Sequence, residues 1–159
     1  MEIRTNDNGR VDNNDNDIEF RRYYVDNYRK EAIIQQIIEE IKHIEEIQFS
    51  FLHGSYLKEK SFRDIDIALY LKTVVTKDTG LDLCNNLCVK LTSKIGIPVD
   101  ITLLNYASVS FCFYATQGKI LTHQNLEDVY NYKEDIWIKY MDLYPMLREN
   151  LADMLSPTL

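Results

Sequence analysis

The stretch FLHGSYLKEKSFRDIDIALYL, residues 51–71, constrains this chain more than any other. Ile47, Phe49 and Phe51 alternate with Gln48 and Ser50, the period of a strand, and Gly54-Ser55 ends it. Eight residues later a second strand opens with Asp64-Ile65-Asp66, and Ile65, Ile67, Leu69 and Leu71 fall on one side of it. Side chains on a strand alternate faces, so Asp64 and Asp66 share the other side, with Cα atoms roughly 6–7 Å apart. Two carboxylates on one face of a rigid strand make a hard-oxygen site suited to Mg²⁺. Downstream, in IPVDITLL, Asp100 lies across its strand from Val99, Ile101 and Leu103. Burying that carboxylate among apolar neighbours without a metal or a donor is costly. If its strand lies beside the Asp64–Asp66 strand, the three carboxylates converge.

Three converging carboxylates suit two-metal chemistry, in which ions roughly 3.5–4 Å apart hold a nucleotide's phosphates and stabilise attacking and leaving oxygens. Gly54 supplies a complementary part, because a residue without Cβ lets the backbone approach a phosphate. The following N–H groups and the Ser55 hydroxyl donate to that phosphate, and a helix starting there adds its dipole. Lys58, Lys60 and Arg63 lie in the same loop and neutralise a triphosphate. Taken singly these pieces say little: Gly-Ser is a turn, and Asp-x-Asp reads equally as solvated carboxylates or a glycosyltransferase motif. The combination carries the reading.

Around this core the chain alternates helices and strands. Ile34, Ile37, Ile38, Ile41 and Ile44 recur at the spacing of one helical face. A second helix over about 81–94 lines up Cys84, Leu87, Cys88 and Leu91. A short helix is expected around 107–116, a brief strand near 119–122, and then a long C-terminal helix. Its apolar face is Ile136, Tyr140, Tyr144, Leu147 and Leu151, and Pro145 should kink or break it. The result is an α/β (α+β) domain: a small mixed sheet flanked by helices. Residues 5–17 hold a single aliphatic residue and no aromatic, so residues 1–28 read as a polar, partly disordered extension and 29–159 as the domain.

Composition narrows the function classes. The 159 residues carry 18 Lys+Arg against 25 Asp+Glu, a net charge of −7, which disfavours direct nucleic-acid binding. No apolar run approaches the roughly 20 residues that span a bilayer, and no signal-peptide pattern opens the chain. Three cysteines, an odd number, fit a reducing, cytoplasmic setting. Cys84, Cys88 and Cys112 lie in apolar contexts and read as core rather than metal ligands. His53 reads as a satisfied strand-end histidine, His43 as solvated, and His123 closes a short strand without an assigned role. Tyr23, Tyr24 and Tyr28 are candidate contact residues.

The arrangement resembles the DNA polymerase β-like nucleotidyltransferase superfamily and, within it, the minimal nucleotidyltransferase (MNT-domain) proteins. The positions that carry the likeness are Gly54, Ser55, Asp64, Asp66 and Asp100, with GKILTHQ resembling the family's late strand and IKYMDLYPMLRENL its C-terminal helix. One departure is the spacer of eight residues between Gly-Ser and Asp-x-Asp, shorter than is usual in this group. The resemblance implies an antitoxin that transfers AMP from ATP to a tyrosine of a partner HEPN ribonuclease toxin, and a hetero-oligomer with it. It implies that Asp64 and Asp66 hold two Mg²⁺ ions. Asp100 assists one and helps deprotonate the tyrosine, and Gly54 and Ser55 grip the β- and γ-phosphates. Two alternatives stand beside it: an antitoxin acting by binding alone, and a nucleotidyltransferase acting on a small molecule such as an antibiotic.

Overall fold

The computed structural model describes residues 22–155; the polar tail read at residues 5–17 lies outside them. Its centre is the strand pair β2 (Ile47–His53) and β4 (Ile65–Leu71), which run antiparallel. β5 (Val99–Leu103) lies parallel to β4, and β6 (Lys119–His123) antiparallel to β2, giving a mixed sheet of order β5-β4-β2-β6. Two-residue strands β1 (Tyr23–Tyr24) and β3 (Ser61–Phe62) form a separate small ladder.

Helices cover both faces of the sheet. On one side α1 (Asn27–Ile41) and α3 (Lys77–Ile95) bring Ile33, Ile37, Ile41, Cys84, Leu87 and Leu91 against Ile65, Ile67, Leu69 and Leu71 of β4. On the other, α4 (Val109–Ala115) and α5 (Leu126–Leu155) bring Cys112, Ala115, Val129 and Ile136 against Phe49, Phe51 and Ala68. The alternation read for β4 and β5 is therefore the real one. In β2 it is not: a register shift between Ile47 and Phe49 sends Ile47 to the α1/α3 side, with Leu52, while Phe49 and Phe51 face α4 and α5. A central strand buried on both sides needs no polar face.

Local signals set the helix ends. Asp26 caps α1 by accepting from the Arg29 N–H at 2.7 Å, Thr76 caps α3, and Ser108 caps α4. Gly96 closes α3 in the left-handed region at φ +76°. α1 stops at Ile41, so Ile44 lies beyond the helix it was expected to extend. Residues 22–28, read as part of the extension, are tied to the domain by β1 and by the start of α1.

α5 departs most from expectation. It runs unbroken through Pro145. Ile136 and Tyr140 are buried as expected (7% and 8% exposed), but Tyr144, Leu147 and Leu151 are 50%, 36% and 58% exposed. Every residue from Tyr144 to Leu151 faces solvent, where the carbonyl that Pro145 leaves without a partner can be hydrated. Among the described residues no helix is long and apolar enough to cross a membrane.

This division of α5 into a seated and an uncovered half has a direct test in urea unfolding. Ile136→Ala, at a buried site in the seated half, is expected to cost about 2–5 kcal/mol. Leu147→Ala is expected to stay within about 0.5 kcal/mol. Equal losses at both positions would contradict the layering described.

Candidate functional site

The sheet register lines up three polar residues. β2 pairs His53 with Asp66, and β4 pairs Asp66 with Asp100. Adjacent strands lie about 4.8 Å apart, so the Asp66 and Asp100 backbones are immediate neighbours. Asp66 alternates with Ile65 and Ile67 and so shares the face of Ala68, the side of α4 and α5. Asp64 stands one residue before β4 begins. Asp64 and Asp66 are half-buried and Asp100 is exposed. The cost of burial expected for Asp100 therefore falls on Asp66 instead. β5 is an edge strand of the sheet.

Gly54 fits this row in a way only glycine can. Its backbone sits at φ +79°, ψ −164°, a region that is essentially glycine's alone. A Cβ built there would meet Asp66 Oδ2 at 2.0 Å, so the carboxylate lies directly against the glycine Cα. The single turn α2 (Ser55–Lys58) follows, closed by the Glu59 N–H donating to the Ser55 carbonyl at 2.8 Å. Lys58, Lys60 and Arg63 are exposed.

The charges act on one another. Burial first, then the negative charges of Asp64 and Asp100, push the Asp66 carboxyl up to about 6 from an ordinary 3.8, while Arg63 pulls it down. Burial also lowers His53, against the pull of Asp100 and with the help of Lys58. The three carboxylates thus share one electrostatic neighbourhood centred on Asp66. They are not a ready-made coordination set: among the described residues no three His, Cys, Asp or Glu side chains stand together closely enough to hold a metal ion. A half-buried carboxylate crowded by two others is a natural place for a cation to relieve repulsion.

His53 is the residue the sequence reading undervalued. Its Nε2 is buried with no hydrogen-bond partner, and its ring stands edge-on to Phe111 at 5.4 Å. It is not the satisfied histidine expected. The signal was present: counting by two from Phe49 and Phe51 puts His53 on their face, one residue before Gly54. His43, just past α1, and His123, at the end of β6, are both exposed and far along the sheet from Gly54. Cys84 and Cys112 are buried core residues, and burial pushes the Cys84 thiol up to about 11.

A family model described as "Polymerase beta, Nucleotidyltransferase" matches residues 35–127, more than half of the chain and all of the positions from Gly54 to Asp100. A search of curated proteins gives no match. Among solved structures, a tri-AMPylated Shewanella oneidensis HEPN toxin in complex with MNT antitoxin matches at 22% identity and TM-score 0.64. The match covers 80% of this chain and 99% of that one. A toxin–antitoxin structure with AMP-PNP matches at 23% identity and TM-score 0.63, over 79% of this chain and 98% of that one. A structure described only as from Shewanella oneidensis matches at 19% identity and TM-score 0.59, over 82% and 100%. At these identities the likeness is one of fold.

The crowding at Asp66 sets a sign for stability against pH. A carboxyl whose folded value is raised binds its proton more tightly when folded, so folding loses stability as pH rises from about 4 through about 6. Asp66→Asn removes that cost. In chelator-treated protein the variant is expected to melt higher than the parent at pH 8, with the gap closing below pH 4. A variant that melts lower at pH 8 would contradict the account.

Proposed function

The chain belongs to the polymerase β nucleotidyltransferase family, and on that premise we propose that it is an antitoxin that transfers AMP from ATP to a tyrosine hydroxyl of a partner HEPN toxin. The observation that carries this reading is the contact between Gly54 and Asp66, in a sheet row that also holds Asp100. It joins a phosphate-approach point to a carboxylate cluster. Two of the similar structures support the choice of substrate and acceptor, one with a tri-AMPylated HEPN toxin and one with AMP-PNP.

The chain's own groups divide the work. Gly54 lets the backbone come close to the β- and γ-phosphates, and the Ser55 hydroxyl and the N–H groups after it donate to them. Lys58, Lys60 and Arg63, all exposed, offset the triphosphate charge. Asp64, Asp66 and Asp100 would hold Mg²⁺, a hard cation matched to an all-carboxylate donor set. When bound, Mg²⁺ supplies charge neutralisation on the phosphates and activation of the attacking oxygen. The tyrosine oxygen bonds to the α-phosphorus, the bond from that phosphorus to the bridging oxygen breaks, and pyrophosphate leaves. The phenolic proton passes to Asp100, whose exposure leaves it open to a protein acceptor.

One observation favours the alternative of neutralisation by binding alone: the apolar residues of α5 beyond Tyr140 are uncovered and offer a protein partner a surface whether or not chemistry follows. The two readings separate by intact-mass measurement of a HEPN toxin incubated with this protein, ATP and Mg²⁺. The parent is expected to add one or more AMP units, and chelation to stop the addition. Asp64→Asn with Asp66→Asn is expected to slow transfer about a thousandfold, about 4 kcal/mol of transition-state stabilisation. A toxin neutralised without any mass change would leave binding alone. Full transfer by the double variant would end the carboxylate mechanism.

A further inference from the structure

The nucleotide turn in this protein is short and would be poorly ordered by itself. A single helical turn is not stable in isolation, and the spacer from Ser55 to Asp64 holds only eight residues. Yet both ends of the turn are gripped from a segment that precedes the family-matched region. Lys30 Nζ donates to the Tyr56 carbonyl at 2.7 Å and to the Glu59 carbonyl at 2.8 Å. The Tyr56 hydroxyl returns a bond to the Lys30 carbonyl at 2.9 Å. Tyr56 is fully buried edge-on to Phe62, and the Lys30 ammonium lies 5.1 Å and 5.2 Å from the two ring centres. At the far end of the loop, β1 pairs with β3, Tyr23 stacks on Phe62, and Arg22 donates to the Ser61 side chain at 2.9 Å and to its carbonyl at 3.1 Å.

We infer that Lys30 is a positioning residue for nucleotide binding: with the β1 strand it braces the backbone of the Ser55–Glu59 turn so that the Gly54-Ser55 bend is ordered before the triphosphate arrives. This rests on the nucleotide reading of Gly54-Ser55. An ammonium shared between two carbonyls is a charge-assisted pair of bonds that no neutral side chain replaces. A bend ordered in advance spares the nucleotide the entropy of ordering it, so the brace acts on affinity. It touches neither the carboxylates nor the reacting atoms, so it leaves bond-making at saturation unchanged.

The test is calorimetric titration of AMP-PNP with Mg²⁺ into the full chain and three variants. Lys30→Met keeps the aliphatic stem and removes the ammonium; it is expected to weaken binding on the order of tenfold. Lys30→Arg, which restores a cation in reach of both carbonyls, is expected to recover most of that loss. Lys94→Met, which removes an ion pair to Glu40 at the other end of α1, controls for general destabilisation and is expected to leave affinity unchanged. Unchanged affinity in Lys30→Met, or equal losses in Lys30→Met and Lys94→Met, would overturn the inference. If Lys30→Met does not fold, Arg22→Ala carries the same test from the other end of the loop, and unaltered affinity there overturns the brace. A parent protein that does not bind AMP-PNP would instead sink the nucleotide reading itself.

Discussion

Asp66 is fixed where negative charge is expensive, and the architecture around it makes that position unavoidable. β4 is hydrogen-bonded on both sides, so its backbone cannot shift to relieve the carboxylate. The side chain is pressed against a glycine that could not be any other residue, and the next strand presents Asp100 at the same level. The resulting cost, seen in the raised Asp66 carboxyl, is of the kind that functional sites carry and the rest of a fold offsets.

The two hydrophobic layers supply that offset. Ile65, Ile67 and Leu69 are fully buried beneath α1 and α3, which pins the strand that carries Asp66 from its reverse side. Asn105, just past β5, clasps the far end of β4 by accepting from the Leu71 N–H and donating to the Leu71 carbonyl, each at 2.8 Å. That clasp holds the β4·β5 register on which the Asp66–Asp100 pairing depends. The turn that follows Gly54 is braced from the N-terminal side by Lys30, so the Gly54-Ser55 bend and the strand of carboxylates are held by different parts of the molecule.

Much of this was legible because β4 and β5 keep a strict period of two. Ile65, Ile67, Leu69 and Val99, Ile101, Leu103 all take the same face, and that leaves Asp66 and Asp100 only the other. What could not be read depended on contacts distant in sequence. β2 is apolar on both sides, so no alternation could reveal the shift after Ile47. The two-residue strands β1 and β3 exist only because they pair with each other across the 36 positions between Tyr24 and Ser61, beyond the reach of local propensity. Which aspartate would be desolvated turned on which strand lies at the sheet edge, a fact of topology. Pro145 signalled a break that a solvent-facing helix does not require.

The most direct measurement is a crystal structure of this protein grown with Mn²⁺ and AMP-PNP, read by its anomalous scattering. The account expects manganese peaks bounded by Asp64, Asp66 and Asp100, with the triphosphate lying along Gly54-Ser55. Manganese and nucleotide bound elsewhere, with the three carboxylates bare, would contradict it.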